Sequence, residues 1–379
     1  MILWCNNSLV DIVLVRSDSI IDQPSIRDQK IINSLRKRYS TFVLGWNRQR
    51  LPKEKINNHM KGIKLFELRA PSGAPSLLVY LPFFWIWVLI KLCVIRPKII
   101  HSCDLETILP CYIYKTIFRK KLVFDVFDRH AMAYIPRKNI FFKILYSVTN
   151  SFEDRLSKGA DVLISVSNEL IMTFQRRPKY CVPIMNCAED QLSPTLPRTE
   201  RDAFTIAFTG HIRRHRGLET LTSAISDLKN VELIITGKTE DKELLTQIQG
   251  ITNVRYLGFL EHSDVLKIEA DSDVIFALYD LTSHTQNKYV IGNKLFEAMM
   301  CGVPIITNVA DEIVNETECG IIVEYDNIEQ IKKGITTLRD NPELCKRLGD
   351  NGRKAFLEKY NWNIMEQRLY KVYENLLVK

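Results

Sequence analysis

Short apolar runs alternate with longer stretches of helical spacing along most of the chain. Leu9 to Val15 reads as a first buried strand, and Ile26 to Arg38 as a helix. Thr41 to Gly45, Ile63 to Arg69, Lys98 to His101, Leu122 to Val126, Val162 to Val166 and Lys179 to Met185 read as further strands with helical spans among them. Asp190 to Asp202 (DQLSPTLPRTERD) then breaks the pattern, being polar, proline-containing and without periodicity. The alternation restarts at Phe204 to Phe208 and continues through Val231 to Thr236, Val254 to Leu257, Val274 to Leu278, Val303 to Thr307 and Ile321 to Val323. Strand and helix in alternation imply parallel, doubly wound sheets. The reading is α/β with two Rossmann-like domains: residues 1–190, a linker at 191–202, a second domain at 203–360, and a terminal helix at 361–379.

Leu77 to Ile95 (LLVYLPFFWIWVLIKLCVI) is the most apolar stretch. Pro82 and Lys91 interrupt it, so it reads as a buried or interfacial helix rather than a membrane span. Trp85 and Trp87, with Arg96 and Lys98 nearby, suit a surface that lies on a bilayer. Arg137 to Tyr146 (RKNIFFKILY) either shares that surface or, as the favoured reading, faces the core as an amphipathic helix.

A chain of 379 residues suits two domains of moderate size. The net charge of +8 admits nucleic acid, anionic headgroups or phosphorylated small molecules as partners. The chain carries no zinc-finger spacing or nucleic-acid-binding motif, so nucleic acid is not expected. Nine cysteines without any C-x-x-C, and an N-terminus without a basic leader, point to reduced thiols in the cytoplasm.

The chemistry concentrates in Tyr289 to Asn308 (YVIGNKLFEAMMCGVPIITN). Gly292, Asn293 and Lys294 open a helix that Gly302 stops. A helix start offers unpaired N–H groups and the positive end of the macrodipole, which suits an anion. Lys294 adds a mobile positive charge for a phosphate. Glu297 lies one turn deeper and suits the paired hydroxyls of a ribose. On residue chemistry alone, a surface helix with an i to i+3 ion pair explains the same residues. Thr209 to Gly217 (TGHIRRHRG) is a glycine-bounded basic turn between strand and helix and suits a diphosphate. Thr236-Gly237-Lys238 and Leu257-Gly258-Phe259-Leu260 also end strands, where ligands lie in open parallel sheets. Asp271-Ser272-Asp273 has the D-x-D pattern of some metal sites, but it precedes its strand, so it reads as a solvated turn and no metal is expected.

N-K-L-F-E-A-M-x-C-G-V-P-I-I resembles the signature segment of family 4 glycosyltransferases, retaining enzymes of the GT-B fold. IIHSCD, VFDVFD, DVLISVS and PIMN resemble successive segments of that family's acceptor domain, and Ser17 to Lys30 its first strand-to-helix loop. The resemblance implies two Rossmann-like domains facing a cleft, with a nucleoside diphosphate sugar (UDP or GDP) on the second and an acceptor on the first. It assigns the donor to Gly210, Arg213, Arg216, Gly237, Lys238, Gly258, Phe259, Leu260, Tyr289, Asn293, Lys294, Leu295 and Glu297. The departures are specific. His211 stands at the family's loop arginine and Arg216 at its lysine, with Arg213 or Arg214 left to supply the missing charge. Tyr289 occupies the position of an acid that contacts the donor sugar. Phe127 falls where many members have a histidine, which leaves Asp104, Asp128 and His130 as catalytic candidates beside Glu297.

The implied activity is retaining sugar transfer to a glycan or lipid-linked acceptor, without metal or cofactor, at the inner face of the cell membrane. A nucleotide-sugar epimerase or hydrolase of the same fold, or a non-catalytic subunit, are the alternatives.

Overall fold

The computed structural model describes residues 10–17, 25–47, 64–69, 74–135, 139–191, 201–239, 241–282, 289 and 291–378. Most of the polar segment expected as a linker, and most of the loop after the first strand, fall outside these residues. The chain divides into two compact units, one comprising residues up to Asn186 together with those from Glu366, the other Cys187–Met365. The division therefore returns most of the last helix, Trp362–Leu377, to the first unit.

The first unit holds a parallel sheet of β1 (Ile12–Val15), β2 (Thr41–Asn47), β3 (Lys64–Arg69), β4 (Ile99–Cys103), β5 (Lys121–Val126), β6 (Val162–Ser165) and β7 (Tyr180–Pro183), in the order β3-β2-β1-β4-β5-β6-β7. The second holds β8 (Phe204–Thr209), β9 (Val231–Thr236), β10 (Val254–Tyr256), β11 (Val274–Ala277), β12 (Ile305–Thr307) and β13 (Gly320–Ile322), in the order β10-β9-β8-β11-β12-β13. Each order reverses direction once, between β1 and β4 and between β8 and β11. Loops at the carboxyl ends of strands beside such a reversal are where a doubly wound sheet binds its ligand.

The central strands read as continuous apolar runs because both faces are covered, and IVLV of β1 is fully buried. Helix starts are set by polar caps: Ser25, Asn139, Ser167, Asp241, Asn327 and Asn341 each accept a backbone N–H from the first turn. Gly302 ends the helix Asn293–Cys301 with φ +64°, and Val303 donates back to Ala298. Pro304 has no N–H, so β12 begins only at Ile305, two residues later than the apolar run suggests. Asp273 precedes β11 and accepts from the amide (2.7 Å) and hydroxyl (2.9 Å) of Thr205, tying the starts of β8 and β11 together.

Candidate active site

In the second unit, three strands lead into glycine-containing loops that are hydrogen-bonded to one another. Gly210, Gly237 and Gly258 follow β8, β9 and β10 with φ of +119°, +151° and +76°. Gly210 N–H donates to the Thr236 carbonyl and Gly237 N–H to that of Gly258, each at 2.9 Å. The Thr236 hydroxyl also reaches Gly258 O at 2.8 Å. A Cβ on Gly237 would stand 1.6 Å from the Gly210 carbonyl oxygen, so this junction admits only glycine. Beside it opens a cavity of 640 Å³ lined by His211, Arg213, Gly237, Lys238, Tyr256 and Phe259 among others. Lys238 lies 4.1 Å over the exposed ring of Phe259. Leu260 follows, half-buried.

The helix Asn293–Cys301 starts beside these loops. Gly292 caps it without a side chain, so no side chain occupies its first amides. Gly292 leaves room for Tyr279, because a Cβ would meet its hydroxyl at 2.2 Å and the ring would have to move. The Tyr279 ring in turn carries the Arg216 guanidinium at 4.3 Å. Tyr279 thus joins the basic turn after β8 to the helix start, a role the sequence did not reveal. Asn293 is exposed at the mouth, and Tyr289 is half-buried just before it.

Lys294 is held, contrary to the mobile charge read from the sequence. Its ammonium lies 2.6 Å from Glu269 Oε1 and 2.5 Å from Glu297 Oε2, the latter a charge contact rather than an aligned hydrogen bond. Burial works to lower the lysine, but the two carboxylates outweigh it and hold it above its ordinary value. Glu269 sits in the helix His262–Asp271 with its side chain fully buried, and it also accepts from the Thr209 hydroxyl. Burial, reinforced by Glu297 and opposed by Lys294, pushes its carboxyl up to about 7. The pattern of apolar and polar positions gave no signal for Glu269, a charged residue on a helix with ordinary amphipathic spacing. Glu297 itself is buried, which removes the surface-helix reading of the pair.

Two further expectations change. Arg214 is engaged by surface pairs with Glu219, Asp241 and Glu243 instead of standing free for a phosphate. Leu295 is buried in the core, and its amide donates to Gly292 O at 3.1 Å, so neither part points at a ligand.

The first unit's strand ends are built from side chains instead. Asp104 follows β4 with φ +61° and ψ 173°, a conformation that costs a non-glycine residue about 1–3 kcal/mol. Its carboxylate accepts from Arg16 at 2.8 Å and from the Phe127 amide at 3.0 Å. Burial raises its carboxyl above the usual range, with Arg16 opposing. Phe127 packs its ring under Arg16 (4.2 Å) and Arg27 (5.0 Å). The turn carrying Asp128 and His130 is fixed by Arg129, which is fully buried on Glu153 and Asp154. His130 is partly exposed, 4.0 Å from Glu106 and packed against Tyr134. Asp104, Asp128, Glu106 and Tyr134 lie close enough to influence one another's charge. Beneath them Asp125 binds Arg27 (2.8 Å) and His101 (3.2 Å), and His101 meets Tyr373 of the last helix at 2.5 Å. Burial alone would raise Asp125; Arg27 and His101 hold it low.

The apolar face of the first unit is also relocated. Trp85 donates to Glu106 O at 2.6 Å, and Trp87 stacks on Phe84, so neither tryptophan leads that surface. The outward residues of the helix Ala74–Ile95 are Val79, Phe83, Ile86, Ile90 and Val94. Ile140, Phe141, Ile144 and Val148 are exposed on the helix Ile140–Lys158, against the core-facing reading of that stretch. No helix among the described residues is long and apolar enough to cross a membrane.

The family model of glycosyl transferases group 1 matches residues 197–355, the span of all the glycine loops and the helix start. The chain is 25% identical over 296 residues to an uncharacterized glycosyltransferase of Methanocaldococcus jannaschii, covering 72% of this chain and 73% of that one. It is 28% identical to the capsular polysaccharide biosynthesis glycosyltransferase CapM of Staphylococcus aureus, over 46% of this chain and 47% of the relative. Anabaena HepE in complex with UDP has the same fold at a TM-score of 0.72 with 17% identity, over 96% of this chain and 100% of its own. With two Rossmann-like parallel sheets and the group 1 domain on the second, the chain is a glycosyltransferase of the GT-B fold.

Proposed function

We propose that the protein transfers a sugar, with retention of configuration, from a nucleoside diphosphate sugar to a glycan or lipid-linked acceptor in cell-surface polysaccharide or glycoconjugate synthesis. The observation that carries the donor half is the junction of Gly210, Gly237 and Gly258 beside the uncapped helix start at Asn293. The junction keeps side chains away from the loop ends, so a diphosphate can approach the backbone there, and the neighbouring helix start offers it N–H groups with no side-chain cap. Arg216, seated on Tyr279, supplies the positive charge for the departing phosphate, since Arg214 is engaged elsewhere. Glu297 faces the ribose hydroxyls. UDP is the favoured nucleotide, because HepE binds it in the same fold. Transfer then depends on orientation and on stabilising the leaving diphosphate. Asp104, Asp128 and His130 serve the acceptor, whose hydroxyls suit a cluster rich in carboxylates. No metal or other cofactor enters this reading.

The acceptor is lipid-linked in this reading, with the protein peripheral at the inner face of the membrane. The helices Ala74–Ile95, Leu105–Phe118 and Ile140–Lys158 pack side by side. Their only acids are Glu106, Glu153 and Asp154, of which the last two are buried on Arg129. Lys143, Arg155 and Lys158 are exposed among the apolar residues, a combination suited to anionic headgroups.

Calorimetric titration with UDP and GDP tests the donor half. One nucleotide should bind, and Glu297→Ala should weaken it about tenfold, or ~1.4 kcal/mol. Absence of binding, or an unaffected variant, would remove the donor assignment. Flotation with phosphatidylglycerol vesicles tests the surface. Wild type should float and Phe83→Glu/Ile144→Glu should not, whereas equal flotation would contradict the membrane reading.

A further inference from the structure

The geometry points to Glu269 as a positioning residue for donor binding, one that locks the loop after β8 to the helix bearing Glu297. This rests on the donor-site reading above and adds to it a residue that faces no ligand. One carboxylate oxygen, Glu269 Oε1, takes both the Thr209 hydroxyl and the Lys294 ammonium. Thr209 is the last residue of β8 and adjoins Gly210, and a Cβ built on Gly210 would lie 4.0 Å from Lys294 Cε. Lys294 passes the connection on to Glu297 within the same helix. Two of the segments proposed to hold the diphosphate are therefore spaced by a single buried group. Without it, Lys294 has only Glu297 to pair with, and Thr209 leaves a buried hydroxyl unmatched.

The arrangement also carries a charge that the ligand feels. Glu269 Oε2 has no hydrogen-bond partner, so the ionised form leaves a bare buried oxygen. The ionisable groups facing Glu269 are Lys294, Glu297 and Cys301, all from the helix Asn293–Cys301; β8 contributes only the neutral Thr209 hydroxyl. With both glutamates ionised, this group carries one net negative charge; with Glu269 protonated, it is neutral. A diphosphate arriving beside it favours the neutral form, so binding takes up a proton where Glu269 is ionised beforehand.

The experiment is titration of the full-length protein with UDP and GDP at several pH values, for wild type, Glu269→Ala, Glu269→Gln and Glu297→Ala. Glu269→Ala should lose roughly tenfold in affinity. Glu269→Gln, whose carbonyl oxygen still accepts from Thr209 and Lys294, should restore most of it at acid pH. Wild-type affinity should fall relative to Glu269→Gln by roughly threefold or more from about pH 6 to about pH 8.5. The glutamine variant supplies the reference for the nucleotide's own titration. A merely structural residue would leave the two pH profiles parallel. Parallel profiles, or a Glu269→Ala protein that binds as wild type while Glu297→Ala does not, overturn the proposal and leave the donor site standing. If wild type binds neither nucleotide, the donor reading itself fails and takes this inference with it.

Discussion

The two sheets share one construction and end their strands differently. In the second unit, β8, β9 and β10 run into glycines whose backbones touch. In the first, β1, β4 and β5 run into Arg16, Asp104 and the Asp128–His130 turn, which meet through side chains. Both contain residues with positive φ, but where the second unit uses Gly210 and Gly237, the first forces Asp104 into that region. The family model covers the second unit's glycine loops and none of the first unit's strand ends.

The sharpest way to break this contrast is Gly237→Ala. A methyl group placed 1.6 Å from Gly210 O must push the two loops apart, at a cost of about 3 kcal/mol or more. Thermal unfolding should fall markedly, and UDP or GDP binding should be lost. A variant that melts and binds like wild type would mean the glycine junction is not what holds the loops.

Asp104→Gly should do the reverse. Glycine accepts φ +61° without strain, so the protein should melt at or above the wild-type temperature although the Arg16 pair is gone. Nucleotide binding should be unchanged, while incorporation of labelled sugar into a membrane extract should drop about tenfold or more. Full incorporation would remove Asp104 from the acceptor side.

Each unit also buries a glutamate whose carboxyl is raised, and here the contrast should vanish. Glu269 and Glu153 go from 4.5 to about 7, chiefly through burial. A raised acid binds its proton more tightly in the folded chain. Its contribution to stability is whole below pH 4.5 and is lost as the pH rises through about 7. Melting temperature should therefore decline between pH 5 and pH 8, and the decline should be shallower in Glu269→Gln and in Glu153→Gln. A flat wild-type profile would contradict the assigned burial.

The smallest effect belongs to Arg214→Ala. Its partners Glu219, Asp241 and Glu243 lie at the surface, and solvent screens such pairs. Nucleotide affinity should stay within about twofold, whereas Arg216→Ala should weaken it clearly. Equal losses would return Arg214 to the phosphate side.

Much of the architecture was legible beforehand because buried parallel strands write themselves as unbroken apolar runs. Gly292 and Gly302 likewise marked the helix limits through local backbone rules that need no tertiary contact, whereas the start of β12 was read two residues early, across Pro304. The surface readings failed for a related reason. Ile140 to Val148 and Val79 to Val94 carry apolar residues in numbers that serve a core or an exposed face equally, and only the packing showed which side each occupies. Trp85 looked like an interfacial anchor, but its indole N–H found Glu106 O twenty-one residues away.

What the sequence determined by itself was the succession of strands and helices, the glycines at strand ends and the helix start at Gly292. All of these follow from dihedral limits and spacing within a few residues. The tertiary structure alone decided the state of the charges. It brought Lys294 and Thr209 to Glu269, Tyr279 to Arg216, and Arg16 to Asp104, across separations of 25, 60 and 88 positions for the three hydrogen bonds among them. A carboxylate's partner, and so its proton, is set by neighbours in space that no local pattern names.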